Sequence, residues 1–250
     1  MGFDWWSGVK RVRRWDFTTG RRRAEVLTEN FDAAMQAMRE DRRWWPDTRS
    51  SSAWLLLRVR ELGPTSATED PRVRRWLVSA LHEWGAHRGG TISSRRLASV
   101  LSDHRFRGLL EQASQTELAR LDDAAMQLIC GLFRGLEGIK SSNAQVVVVS
   151  KALYHLLPEL VVPLDNEVTC GFFGWRSLPN RVDDEWLADI YGVLSQIARG
   201  VGPRALARHG QPDWPRDQAV ALAIRLGQGR VVDFGMKGYR RSTAKQWYVA

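Results

Sequence analysis

Asp165 is the residue in this chain most readily given a chemical task. It follows the proline-bounded loop Pro158-Glu159-Leu160-Val161-Val162-Pro163-Leu164 and precedes an apolar stretch with Val168, Phe172 and Phe173. A carboxylate fixed at such a junction can stabilise developing positive charge or activate a water molecule. A carboxylate at a helix start can equally cap backbone amides, and at the level of sequence both roles are open. Lys151 lies upstream in an apolar segment. It precedes His155 by one helical turn, so a shared solvent-facing helix face is the plain reading. Between these segments and the preceding helix lies the turn Gly135-Leu136-Glu137-Gly138-Ile139-Lys140-Ser141-Ser142-Asn143-Ala144. Amides and hydroxyls of a glycine-led turn can hold an anion, although Ser141 and Ser142 are also good caps for the helix that follows.

Residues 132–175 resemble the helix-hairpin-helix DNA glycosylase superfamily. In that family a hairpin of the form Gly-hydrophobic-Gly, two variable residues, then Thr-Ala joins two helices, and its amides hold a DNA phosphate. Gly138-Ile139-Lys140-Ser141-Ser142-Asn143-Ala144 lies on this pattern, with Lys140 in place of the second glycine. Pro163-Leu164-Asp165-Asn166-Glu167-Val168 resembles the family's loop and the aspartate that opens the next helix. The resemblance implies that Gly138, Ile139, Lys140, Ser141 and Ser142 bind phosphate and that Asp165 is the catalytic carboxylate. Lys140 and Lys151 would serve as phosphate or active-site cations. Ser142 stands where lyase-type members carry a lysine, which implies hydrolysis without strand cleavage. Such chemistry is coherent: glycosidic cleavage passes through an oxocarbenium-like state that a carboxylate stabilises. The base must first leave the stack, which a phosphate-gripping surface assists. No cofactor is implied.

Other chemistries find little foothold. The histidines, His82, His87, His104, His155 and His209, are scattered, and His82 and His87 are not at the four-residue spacing that pairs metal ligands on one helix, so no metal is expected. Two cysteines, Cys130 and Cys170, are too few for a disulfide framework or a zinc knuckle. There is no Walker-type or dinucleotide-type glycine loop and no Gly-x-Ser-x-Gly elbow.

The elements that must position these residues read as helices almost throughout. Asn30 can cap a helix to Asp41, and Ser50 to Ser52 open one carrying Trp54, Leu55, Leu57 and Leu62. Gly63-Pro64 ends it, with a loop over 65–69, and Asp70-Pro71 caps the next, which Gly89-Gly90 stops. Further helices are expected over 93–102, 105–113, 116–134, 165–175, 183–199 and 217–226. Residues 143–157 read as helical or strand-like, and residues 231–234 as a brief β-like piece. The expected fold is therefore all-α, a single helical domain over 1–250 with at most a minor β element near the C-terminus. Two helical lobes around a cleft, 1–115 and 116–250, are the alternative arrangement.

The chain has 250 residues, a net charge of +9 and a pI near 10.2. Excess arginine favours a polyanionic partner, because neutralising phosphates releases condensed counterions. Arg13, Arg14 and Arg22 stand among the tryptophans of the first 50 residues, where cations and aromatics could grip phosphates and stack on bases; burial of those tryptophans with arginines snorkelling outward is the competing reading. The longest apolar run, 146–149, is far too short to span a membrane, and no signal-peptide pattern is present, so a cytoplasmic protein is expected. The functional expectation is a DNA-binding protein, with RNA as an alternative ligand, acting as a DNA glycosylase. A non-catalytic helical nucleic-acid binder and an interaction protein with acidic partners are the competing classes.

Overall fold

The computed structural model describes residues 15–39, 51–209 and 228–243. Arg13, Arg14 and the helix expected over 217–226 lie outside them. Twelve α-helices and one 3-10 turn are found among the described residues: α1 (Thr18–Glu29), α2 (Phe31–Arg39), α3 (Ser51–Leu62), α4 (Pro64–Glu69), α5 (Pro71–Glu83), α6 (Ser94–Ser102), α7 (His104–Ser114), the 3-10 turn Leu118–Arg120, α8 (Asp123–Leu136), α9 (Gln145–Leu156), α10 (Val168–Phe173), α11 (Asp184–His209) and α12 (Gln228–Thr243). The fold is all-α. No described helix is long and apolar enough to cross a membrane.

Local chemistry explains most boundaries. Asp70 accepts from the Arg72 amide at 2.8 Å with Pro71 in the first turn, so α5 begins where aspartate and proline favour it. Ser93 caps α6 and Asp183 caps α11 in the same way. Several expectations are corrected. Asn30 closes α1, its amide and side chain both donating to the Val26 carbonyl, and only then does its own carbonyl start α2. Residues 64–69 form helix α4 and not a loop, because Gly63 takes a φ of 76° and Pro64 supplies a preset first turn. The helix expected over 116–134 is split, since Asp122 caps the Ala125 amide and begins α8 afresh. The segment expected over 165–175 is helical only from Val168 to Phe173, ended by Gly174 in the left-handed region.

The largest departure is α12. Residues 231–234, read as β-like, sit inside a helix whose residues 229–238 are all buried. Its apolar and polar positions are enclosed together, so the helical polar face of Arg230, Asp233 and Lys237 is not a solvent-facing one. Two glycines permit that depth. A Cβ on Gly238 would fall on the Ala34 carbonyl oxygen of α2, and one on Gly229 would fall on the Val161 carbonyl oxygen. The last described helix thereby packs backbone-close against the second. Buried residues from Phe17 to Met236 form one contiguous apolar cluster, with α9 near its middle and almost wholly enclosed.

Candidate functional site

Two places gather the residues of interest. The first is the turn between α8 and α9. Gly138 has a φ of 87°, the only positive φ in the turn, whereas Lys140 lies in an extended two-residue bridge with Ile92. Lys140 therefore occupies its position without the conformational freedom a second glycine would bring. The Ser93 amide donates to the Ile139 carbonyl at 2.8 Å and the Ser141 amide to the Thr91 carbonyl at 3.0 Å. The Thr91 amide donates to Ser141 Oγ at 2.8 Å. Turn 137–143 and turn 89–93 are thus stitched into one unit.

The interior of this unit is a single glutamine. Gln145, 7% exposed, accepts from the Gly138 amide through Oε1 at 2.9 Å and donates from Nε2 to the carbonyls of Lys140, at 2.8 Å, and Ser142. Ile139 is fully buried, and its amide donates to the Leu136 carbonyl. Three of the predicted phosphate-binding amides, those of Gly138, Ile139 and Ser141, are therefore engaged within the chain. Lys140 is 5% exposed and donates from Nζ to the Arg88 carbonyl at 2.7 Å, with burial holding its pKa below the usual lysine range. Ser142 Oγ is buried and has no hydrogen-bond partner.

Around this braced turn the surface is cationic. Arg88, Arg95, Arg96 and Arg181 are exposed. Arg96 reaches back to the Glu137 carbonyl, and the Asn180 carbonyl beside Arg181 accepts from the Gln145 amide at 3.0 Å. No ion pair engages any of the four among the described residues. None of these arginines was singled out from sequence, where each is one of many. Arg22 is exposed on α1, which packs against α10 and α11.

The second place lies behind the turn and joins Lys151 to Asp165. Lys151, 9% exposed, donates from Nζ to the Trp84 carbonyl at 2.8 Å. Burial lowers its pKa, and the charges of Asp165 and Asp233 oppose that shift. One turn on, His155 is fully buried. Its Nδ1 meets the Lys151 carbonyl at 2.7 Å, so it carries the proton there and Nε2 accepts from Ser52 Oγ, also at 2.7 Å. Burial pushes this imidazole down to about 4. The Trp84 ring stacks on Tyr154 and carries the Arg230 guanidinium 4.7 Å from its centroid.

From α12 come three residues the sequence did not flag, because their segment read as β. Arg230, Asp233 and Lys237 occupy one buried helix face; Asp233 Oδ2 accepts from Arg230 at 2.5 Å and from Lys237 at 2.9 Å. Burial depresses the Lys237 pKa, with Asp233 and then Asp165 acting to restore it. A spacing of i, i+3 and i+7 in residues 230–237 was the available signal. Asp165 itself is half-buried at the head of α10. Its Oδ1 accepts from the Val168 amide at 2.6 Å, while its own amide donates to Thr169 Oγ1 at 3.1 Å, a reciprocal cap. Nothing among the described residues donates a hydrogen bond to its second oxygen. The structure thus brings Lys151 and Asp165 within electrostatic reach of each other. Asp165 also serves as a helix cap, as the alternative reading allowed.

No family model, curated protein or solved structure matches the chain. Its chemistry must therefore be argued from these two places alone. His82 and His87, separated in sequence, stack at 4.7 Å because the chain reverses over 84–90. Among the described residues no group of three or more His, Cys, Asp or Glu is placed to hold a metal. Cys130 and Cys170 are buried free thiols, both raised to about 11 by burial.

Proposed function

We propose that the chain binds nucleic acid, with DNA the first candidate, through the surface formed by turns 88–96 and 137–143. The observation that carries this reading is the gathering of Arg88, Arg95, Arg96 and Arg181 around a turn braced from inside by Gln145. A rigid support holds guanidinium groups that no ion pair engages among the described residues, which suits a polyphosphate backbone. The anion contacts in this reading fall to arginine side chains and not to the turn's engaged amides.

The test is fluorescence anisotropy with duplex DNA and duplex RNA at several salt concentrations. Replacing Arg88, Arg95 and Arg96 singly by glutamine weakens binding across all sequences and flattens the log affinity versus log salt line by roughly one per lost phosphate contact. Unchanged slopes in all three variants overturn the reading.

A second reading, hydrolysis of an N-glycosidic bond by Asp165, is favoured by that carboxylate's second oxygen, to which nothing among the described residues donates a hydrogen bond, within electrostatic reach of Lys151 and Lys237. A carboxylate so placed could stabilise an oxocarbenium-like state. Asp165→Asn keeps a capping side chain while removing the charge, so it separates the two roles. Wild type releases a base from one member of a modified-base duplex panel, detected as an abasic site, and the Asn variant does not. Release that persists in the variant, or none from any duplex with wild type, removes Asp165 from catalysis and leaves binding alone.

A further inference from the structure

Trp54 and Leu57 on α3 are 57% and 61% exposed, the two large apolar side chains left open among the described residues. They stand at i and i+3, with Arg58 and Glu61 completing an i, i+3, i+4, i+7 face. Across from them Trp76 and Arg72 of α5 form the other wall of an open groove of about 290 Å³. Exposed apolar side chains that adjoin one another across a groove mark a contact site more strongly than scattered ones do.

The charges around the groove decide which partner. The chain carries +9, yet the charged side chains lining this groove are paired within the chain. Arg58 pairs with Glu61 at 2.7 Å, and Arg58 and Arg72 both reach Asp70, at 3.9 and 3.3 Å. Two guanidinium groups therefore already have two carboxylates. That is a poor surface for a polyanion, unlike the unpaired arginines near the turn. It is a better surface for a second copy of the same chain, which meets less self-repulsion at these paired charges than at the exposed arginines near the turn. A face carrying both signs is also self-complementary under a two-fold rotation, and an aromatic core edged by arginine is the usual composition of such contacts.

We infer that the α3–α5 groove is a homodimer interface, in which Trp54 and Leu57 of one copy are covered by the same face of another and the Arg58 and Glu61 charges are exchanged across the axis. This inference does not depend on the nucleic-acid reading.

Sedimentation velocity of the whole chain over a range of concentrations, without nucleic acid, tests it. The wild type shows a concentration-dependent rise from 28.5 kDa to twice that mass. Leu57→Glu and Trp54→Ala remain monomeric with unchanged circular dichroism, both positions being exposed. Arg58→Glu weakens association, and adding Glu61→Arg restores it, because the exchanged pairs reform with reversed polarity. Three outcomes overturn the inference: a wild type that is monomeric up to its solubility limit, dimers that survive Leu57→Glu, or a monomeric wild type whose affinity for single-stranded DNA falls with Trp54→Ala. The last would make the tryptophans a base-stacking platform instead.

Discussion

Gln145→Ala removes the strut from the α8–α9 turn, and its cost can be worked from three contacts. Gln145 satisfies the Gly138 amide and the Lys140 and Ser142 carbonyls from a position that is 7% exposed. Each lost bond of this kind is worth about 1 kcal/mol net, so the substitution destabilises the chain by about 3 kcal/mol. That is a large part of an ordinary domain stability of about 5–15 kcal/mol. Gln145→Glu is harsher, because a carboxylate keeps the acceptor for Gly138 but faces two carbonyl oxygens with no donor. Urea unfolding at neutral pH reads both losses. The turn also carries the arginine surface, so the Ala variant has to order it on binding. If about 1.4 kcal/mol of the loss is spent in that way, DNA affinity falls about tenfold while the salt slope, set by the number of phosphates contacted, stays as in wild type. A Gln145→Ala protein within about 0.5 kcal/mol of wild type would refute the idea that this side chain holds the turn. A flattened salt slope would show that losing Gln145 costs arginine–phosphate contacts outright and not only the ordering of the turn.

Two further perturbations address the interior. Asp233→Leu leaves Arg230 and Lys237 buried without their shared counter-charge and lowers stability by about 3–5 kcal/mol. Replacing all three together by apolar residues (Arg230→Met, Asp233→Leu, Lys237→Met) recovers most of that loss in chemical denaturation, and a triple variant as weak as the single would contradict the electrostatic account. His155 has a folded-state value of about 4 against 6.5 in the unfolded chain. Its neutral form is therefore favoured by folding, and its contribution is complete above pH 6.5 and lost as pH falls towards 4. At about 1.4 kcal/mol per unit the drop is about 3 kcal/mol. Comparing stability at pH 7 and pH 4.5 in wild type and His155→Gln isolates it, and an equal fall in both would assign the acid sensitivity elsewhere.

Where local chemistry decides, the chain could be read directly. Asp70-Pro71 and Asp183 announce helix starts because a side-chain oxygen beside orphan amides is favourable in any context. The all-α class follows from the same local signals. The parts that were hidden depend on burial that local pattern does not report. Lys140 looks like a surface cation until its stem is seen running under turn 89–93 to the Arg88 carbonyl. Arg230, Asp233 and Lys237 were obscured because α12 is enclosed on every side and carries Val231-Val232, β-branched residues at home in strands. Their link to Lys151 spans some eighty residues of sequence, which no window of local pattern covers. Asp165 drew notice for its position, and of the two roles weighed for it the geometry shows the cap: one oxygen accepts from the Val168 amide, and among the described residues nothing donates a hydrogen bond to the other.

The glycine contacts of α12 bear on how the molecule comes to be made. Gly229 lies over the loop at Val161, Gly238 over α2 at Ala34, and Asp233 lies close enough to Lys151 for their charges to interact. A ribosome releasing this chain in order must therefore extrude nearly all of it before α2 meets the helix it packs against most closely. Until then α2 lacks its principal packing partner and Lys151 lacks the charge of Asp233, and a messenger truncated before codon 228 would yield a product missing the helix that closes over both.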